Sequence, residues 1–588
     1  MKALREFARL LSPYKKKVIF AFVSILAANA LGLAFPWALK IIIDAVWPNR
    51  NLVLLNWLIV GLILTFILKF YFGFVCEYLI NLVGENVVCD LRNKLCWHLQ
   101  RLSVQYMDNI PKGQMLSSVI GDVDSIRNFL FGGAIDFAYS SLNILFILGV
   151  LFLLDWRLTA ITLAFVPVFA ITFYKFTPRL AQRHRLIREK YAELTSHLHE
   201  VFNGIRVVAG FAKEDYEAEK FDSKQKEIAA VAVAGHKIGI GLWMASEFVS
   251  SLGLVTLIWF GTKAVFSGRI TVGTLMAFYS YLGMFFVPVI KVAVVNNHFQ
   301  QAAASMERIN RMLKEEPKIQ ERRSPVIMNA IRGDIKFDRI NFSYNRGKRI
   351  LSDINLDAKA REVIALVGKS GAGKTTLINL LLRFYDPQEG AIFIDGYDLK
   401  DLDLKSYRSK IAMVLQDDYL FNSSVRENIL YGCLDVPENK MIEAARLANA
   451  HQFITELSDG YDTQIGERGV ALSYGQRQRI SIARAIVRDP SILILDEATS
   501  AVDSQTERAI ITQAYKNLMR GRTTFIIAHR LSTVTLADRI IVIEAGRITE
   551  AGSHFELFKE RGAYWGMWQQ QTACAADFPL MVSNGENP

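Results

Sequence analysis

The densest chemistry in the chain lies in nine consecutive residues: Gly368, Lys369, Ser370, Gly371, Ala372, Gly373, Lys374, Thr375 and Thr376. An apolar run, Val363–Val367, precedes them, and Leu377-Ile-Asn-Leu-Leu-Leu follows. That order predicts strand, glycine-rich loop, helix, the setting a phosphate-binding loop requires. Glycines let the backbone curl so that successive N–H groups point inward at phosphate oxygens. The helix N-terminus adds its positive dipole end. Lys374 can reach the β- and γ-phosphates of a nucleoside triphosphate, and the Thr375 hydroxyl can ligate Mg²⁺. In a chain of 588 residues the pattern arises by chance about one time in fifty. ATP and Mg²⁺ are therefore the expected cofactors.

A second set of residues follows about 120 positions later. Ile492-Leu-Ile-Leu predicts a buried strand, and it ends in Asp496 and Glu497. Such a strand delivers Asp496 to the Mg²⁺ region. Glu497, one residue on, can polarise a water for attack on the γ-phosphate. A further predicted strand, 523–528, ends in His529, which could contact the γ-phosphate or organise that water. An alternating stretch from Ile335 ends in Tyr344, where the ring can stack on an adenine or simply pack. Ile411-Ala-Met-Val-Leu predicts another strand, with the polar Gln416 at its end.

The elements that hold these residues form only the last part of the chain. Hydrophobic residues make up 51% of the whole and mean hydropathy is +0.21, both high for a soluble protein. Six stretches are long enough to cross a ~30 Å hydrocarbon core: about 18–47, 52–82, 130–154, 158–174, 238–266 and 271–297. Their outer connections are short. Their inner connections, about 83–129 and 175–237, are long, polar and helically patterned, so the helices are expected to overrun the membrane into the cytoplasm. The net charge of +11 sits beside apolar segments, as positive-inside bias places it. Aromatic–basic interleaving is missing, so nucleic acid is not expected as a partner. The N-terminal Lys2, Arg5, Arg9, Lys15, Lys16 and Lys17 precede an apolar run too long for a signal-peptide core. Five cysteines, Cys76, Cys89, Cys96, Cys433 and Cys574, match no zinc spacing and are expected to be free thiols.

Lys69, Glu77, Asp136, Glu247 and Lys291 fall in or near the apolar runs, towards the inner leaflet. Ionisable groups there are costly and are functional candidates. They either line a polar cavity for substrate or lie in cytoplasmic extensions, the lysines snorkelling to the interface. Pro36 and Pro288 are candidate kinks. The expected division is a transmembrane domain over 1–315, a linker over 316–333, a soluble α/β domain over 334–572 and an unstructured tail over 573–588. One helical segment is expected over 424–457.

Together these motifs resemble the ATP-binding cassette (ABC) transporters, specifically exporter-type half-transporters with six spans fused to one nucleotide-binding domain. The resemblance covers about 10–575. It implies an α-helical transmembrane domain of six spans with cytoplasmic extensions, plus an α/β P-loop NTPase ABC domain. By this resemblance 368–375 is the Walker A loop, Asp496 the Walker B acid, Glu497 the catalytic glutamate and His529 the switch histidine. Gln416 matches the Q-loop glutamine, a Mg²⁺ contact with Thr375 and Asp496. Leu472, Ser473, Tyr474, Gly475 and Gln476 match the signature motif, Asp503 the D-loop acid and Tyr344 the adenine-stacking aromatic. Tyr474 stands where the family usually has Gly, and Val502 where Leu is usual; Ser473, Gly475 and Gln476 keep the pattern. Segments 121–127 and 210–217 resemble the two coupling segments; without the resemblance both are polar helix ends.

The resemblance implies ATP hydrolysis coupled to export, or flipping of a hydrophobic or amphipathic substrate, by alternating access. The expected partners are a second half-transporter, a homodimer being the simpler case, membrane lipids and a lipid-like substrate. The expected location is a bacterial inner membrane, with the nucleotide-binding domain cytoplasmic. The alternatives are a multidrug or peptide exporter in a heterodimer, and an ATP-gated channel or regulatory subunit.

Overall fold

The computed structural model describes residues 2–344, 347–415, 419–466, 469–496, 505–528 and 534–576. The chain forms two compact units. One comprises Met1–Gln100 and Pro111–Glu315, the other Arg101–Ile110 and Glu316–Pro588.

The first unit is helical, and six of its helices are long and apolar enough to cross a membrane. Leu52–Arg101 is one helix of 50 residues. At 1.5 Å per residue it runs about 75 Å, far beyond the ~30 Å hydrocarbon core. Helix Glu214–Phe266 spans 53 residues and helix Val272–Lys314 spans 43. The overrunning extensions read from the sequence are therefore present.

The first span breaks at Leu33, between helices Lys15–Gly32 and Ala34–Ile41. Pro36 explains the break: it has no N–H to give Gly32, and its ring crowds that carbonyl. Pro167 has the same relation to Leu163, and helix Trp156–Leu163 ends there. Pro288, by contrast, sits inside a continuous helix. The short turns are chemically defined. Arg50 takes a left-handed φ of 47°. The Asp155 side chain accepts from the N–H groups of Arg157 and Leu158 at 2.8 and 2.9 Å. Large apolar side chains such as Trp57, Phe70 and Phe74 are exposed. Water would not tolerate that surface, and lipid would.

The second unit carries two sheets. The six-stranded sheet has the order β10-β9-β3-β8-β7-β6. Its strands are β3 Val363–Val367, β6 Ile411–Val414, β7 Ile492–Asp496, β8 Thr523–Ile527, β9 Arg539–Glu544 and β10 Arg547–Gly552. Strands β6, β7, β8, β3 and β9 run parallel, and β10 closes the edge antiparallel. Parallel strands are covered on both faces, which is why they read as unbroken apolar runs. Alternate residues enter different cores. Ala365, Val367, Leu493 and Leu495 pack with Ile480 and Ala483 on one face. Ile364, Leu366, Ile492 and Ile494 pack with Phe337 and Ile354 on the other. That second face meets an antiparallel sheet of order β2-β1-β4-β5. Its strands are β1 Ile335–Phe342, β2 Leu351–Ala358, β4 Glu389–Ile394 and β5 Tyr397–Asp398.

Two details differ from the sequence reading. The segment over 424–457 is three helices, Val425–Leu430, Glu438–Leu447 and His451–Thr455. Gly432 and Pro437 interrupt the run. Helix Ala563–Ala576 extends four residues into the stretch expected to be an unstructured tail.

Candidate nucleotide site

In parallel sheets of this kind, ligands bind beyond the carboxyl ends of the strands. Here β3 ends in the glycine-rich loop, which leads into helix Lys374–Leu381. Two glycines are dictated by geometry. Gly368 has φ +153°, and a Cβ there would lie 2.2 Å from the Ile543 carbonyl oxygen. Gly373 has φ +109°, and its Cβ would lie 2.6 Å from Leu351 Cδ2. Any side chain would break the loop's close packing on its neighbours. Lys374 is buried at 5% exposure. Its Nζ donates to the carbonyls of Gly368 and Lys369 at 2.7 and 3.1 Å. The ammonium is thus held inside the curl of the loop, while Gly371 and Thr375 stay exposed. A curled backbone, a buried cation and an exposed hydroxyl at a helix start fit a triphosphate and its metal.

Strand β8 lies between β3 and β7. Ile527 pairs with Leu366 on one side, in register, and with Asp496 on the other. Two strand spacings put the Asp496 backbone roughly 10 Å from that of Leu366, on the same rim of the sheet. Asp496 ends β7, and Glu497 is the next residue. Gln416, Glu497, Asp503 and His529 lie outside the described residues.

Tyr344 packs rather than standing free. Its hydroxyl donates to Thr376 Oγ1 at 3.2 Å and accepts from Asn379 Nδ2 at 3.2 Å. Its ring meets Phe342 and Tyr385 edge-on, at 5.0 and 4.9 Å. Ser473 caps helix Tyr474–Arg488 in a reciprocal box. Ser473 Oγ accepts from the Gln476 N–H at 3.2 Å, and Gln476 Oε1 accepts from the Ser473 N–H at 2.8 Å. Ser473 is exposed and Gly475 buried, and the half-buried Tyr474 ring lies 5.8 Å from the Arg477 guanidinium.

Residues 18–289 match the family described as ABC transporter transmembrane region, and 351–500 match the family described as ABC transporter. The chain belongs to the ABC transporter family. It is an exporter-type half-transporter: six apolar helices followed by one α/β cassette. It is 38% identical to an ATP-dependent lipid A-core flippase of Desulfotalea psychrophila, over 95% of this chain and 97% of that protein. It is equally identical to a Staphylococcus aureus protein provisionally named a multidrug export ATP-binding/permease protein, over 97% and 100%. The structure of a bacterial Atm1-family ABC exporter with ATP bound has a TM-score of 0.79 to it at 28% identity, covering 97% and 99% of the two chains.

The exporter's cassette unit contains an element that sequence reasoning missed. Arg101–Ile110 belongs to that unit, and its short helix is Val104–Asn109. Gln105 Nε2 donates to the Tyr344 carbonyl at 3.3 Å, and Tyr385 Oη donates to Asp108 at 2.8 Å. Burial, and then the Asp108 bond, hold the Tyr385 phenol well above its ordinary pKa, so it stays a donor at neutral pH. Segment 121–127, which resembled the first coupling segment, instead braces the helical unit. Arg308 and Ser305 bind Asp122, Arg92 binds Asp124 at 2.8 Å, and Arg127 binds Glu85 at 2.8 Å. Its charges serve internal pairs. The sequence did hold a cue, Pro111, which forces Ile110 extended and ends the short helix.

The Asp108–Tyr385 bond gives a direct test. A net hydrogen bond contributes about 1 kcal/mol. Tyr385→Phe should therefore speed amide exchange across 104–109 roughly fivefold, read by hydrogen–deuterium exchange mass spectrometry. Unchanged exchange there would mean the segment is held by packing alone.

Proposed function

We propose that this half-transporter works as a dimer and exports or flips an amphipathic, lipid-like substrate from the inner side of a bacterial inner membrane. In this reading Lys374, Thr375, Asp496 and Gln416 hold ATP and Mg²⁺, and Gly368, Lys369, Ser370, Gly371, Ala372, Gly373 and Thr376 shape the cradle. Bound ATP supplies the phosphoanhydride whose hydrolysis drives the cycle. Glu497 orients and deprotonates water, and His529 steadies it. The exposed Ser473, with Gly475, Gln476 and Asp503, offers the cassette's second surface to the nucleotide of a partner subunit. The turn after helix Ile205–Gly210, with Phe211 exposed, is the segment proposed to dock on the partner's cassette. Intact motifs favour a homodimer, with two working sites.

The observation that carries the substrate class is an ion pair. Lys291 Nζ donates to Asp136 Oδ1 at 3.0 Å, across two apolar helices. Both side chains are about half exposed, 50% and 48%. A pair facing hydrocarbon would be expensive, so this one faces water or a polar group of cargo. An amphipathic molecule, with a charged head and apolar tails, suits that surface. The name of the lipid A-core flippase relative supports the same class.

Reconstitution in proteoliposomes tests this. ATP-driven movement of a fluorescent anionic lipid between leaflets is expected. Lys291→Ala should lower it about tenfold, the worth of one charge-assisted hydrogen bond. Unchanged movement in both Lys291→Ala and Asp136→Ala would sink the proposed role of the pair. Movement that runs downhill without hydrolysis would make the protein a channel.

A further inference from the structure

Outside the nucleotide site, the helical unit contains a small apolar cleft of about 180 Å³ at the start of the first span. Its concavity comes from small residues: Ala21 on helix Lys15–Gly32, Gly84 on helix Leu52–Arg101, and Ala134 and Ala138 on helix Ala134–Leu154. The Phe131 ring forms its floor. A Cβ on Gly84 would lie 1.7 Å from that ring, so the ring rests directly on the backbone. Phe22 lines the cleft and is 46% exposed, beside the exposed Ile19 and Phe20. The cleft therefore opens on the face that the membrane solvates.

One charged side chain lines this cleft: Lys17. Lys15 and Lys16 precede it, and all three are exposed. Among the described residues, none of the three has an ion-pair partner within 4.0 Å. Arg127 is already engaged, stacked 5.7 Å from Phe131 and paired with Glu85. Seen from the lipid, the site is an apolar slot for a chain with uncompensated positive charge at its mouth. Juxtamembrane lysines attract anionic headgroups, and each buried methylene of an acyl chain adds to the hold.

We propose that this cleft holds an acyl chain of an anionic phospholipid of the inner leaflet, its phosphate against Lys17 and the neighbouring lysines. The inner placement of the lysines rests on the membrane orientation proposed above. The bound lipid is a resident and not the transported cargo, since neither Asp136 nor Lys291 lines the cleft.

Native mass spectrometry of the full chain in detergent tests this, with phosphatidylglycerol and phosphatidylcholine of identical chains as probes. Phosphatidylglycerol should bind at least about tenfold more tightly. The triple variant Lys15→Gln, Lys16→Gln, Lys17→Gln changes only exposed side chains, and should bring the two lipids to equal affinity. Ala138→Phe fills the slot and should remove the tight phosphatidylglycerol adduct with all three lysines intact. Equal affinity for the two lipids in the unaltered chain would overturn the proposal, as would a triple variant that keeps its preference. Should Ala138→Phe not fold, the triple variant decides alone; an Ala138→Phe protein that folds and still binds phosphatidylglycerol tightly refutes the slot. The readout is binding, so a protein that moves no lipid in proteoliposomes would still show the selective adduct.

Discussion

Replacement of Glu497 by Gln is expected to lower ATP turnover at least about 100-fold while leaving ATP binding in place. Asp496 closes β7 at the same level as Ile527 of the neighbouring strand, on the rim where the phosphate loop leaves β3. Glu497 follows directly in the sequence. A carboxylate there can take a proton from the attacking water, and a positioned general base contributes about 10²–10⁴ in rate. The amide of Gln keeps the size and hydrogen bonding but cannot take the proton. Binding should survive because the cradle, Lys374 and Asp496 are untouched. The measurement is phosphate release from protein in nanodiscs, beside titration with a fluorescent ATP analogue. Turnover within a few-fold of the unaltered chain would remove Glu497 from the role of base. Loss of nucleotide binding would mean instead that the residue holds the site together.

What could be read from the sequence was what depends on neighbouring residues. The phosphate loop is local: strand, glycines, lysine and helix are contiguous, and the structure brings them together as Gly368, Gly373 and Lys374. The spans are local as well, since a run of twenty apolar residues can cross hydrocarbon whatever surrounds it. Misreadings came where distant partners decide. Acidic segment 121–127 looked free to meet the cassette, yet its charges are consumed by Arg92, Glu85 and Arg308, the last far along the chain. The true cassette element, Val104–Asn109, is only six residues long and has no charge pattern to advertise it. Asp136 and Lys291 were both visible as costly ions. Their pairing across 155 residues was not, because nothing in either local sequence names the other. Breaks within helices fell between these cases. Pro36 marked its break correctly through the carbonyl four residues earlier, whereas Pro288 lies in a helix that continues through it.

Lys374→Ala is expected to weaken ATP binding roughly ten- to hundredfold, with a smaller effect on the fold. The ammonium is buried and sits in the curl of the loop, donating to two loop carbonyls. A charge-assisted hydrogen bond from such a group to a phosphate oxygen contributes about 1.5–3 kcal/mol, or roughly one to two decades of affinity. The loop itself should persist in the variant. Its shape is set by the left-handed glycines and by Gly368 and Gly373 packing against Ile543 and Leu351, none of which involves the lysine. Alanine is also a strong helix former, so helix Lys374–Leu381 should keep its start. The Gly368 and Lys369 carbonyls lose a donor and can turn to water in the open cradle, which keeps their cost to folding small. The two effects separate experimentally. Isothermal titration with a slowly hydrolysed ATP analogue reads the affinity, and a thermal melt without nucleotide reads the fold. A large fall in melting temperature with affinity intact would make Lys374 a structural tie of the loop. Weakened binding at a nearly unchanged melt is the signature of a cation that meets the phosphates.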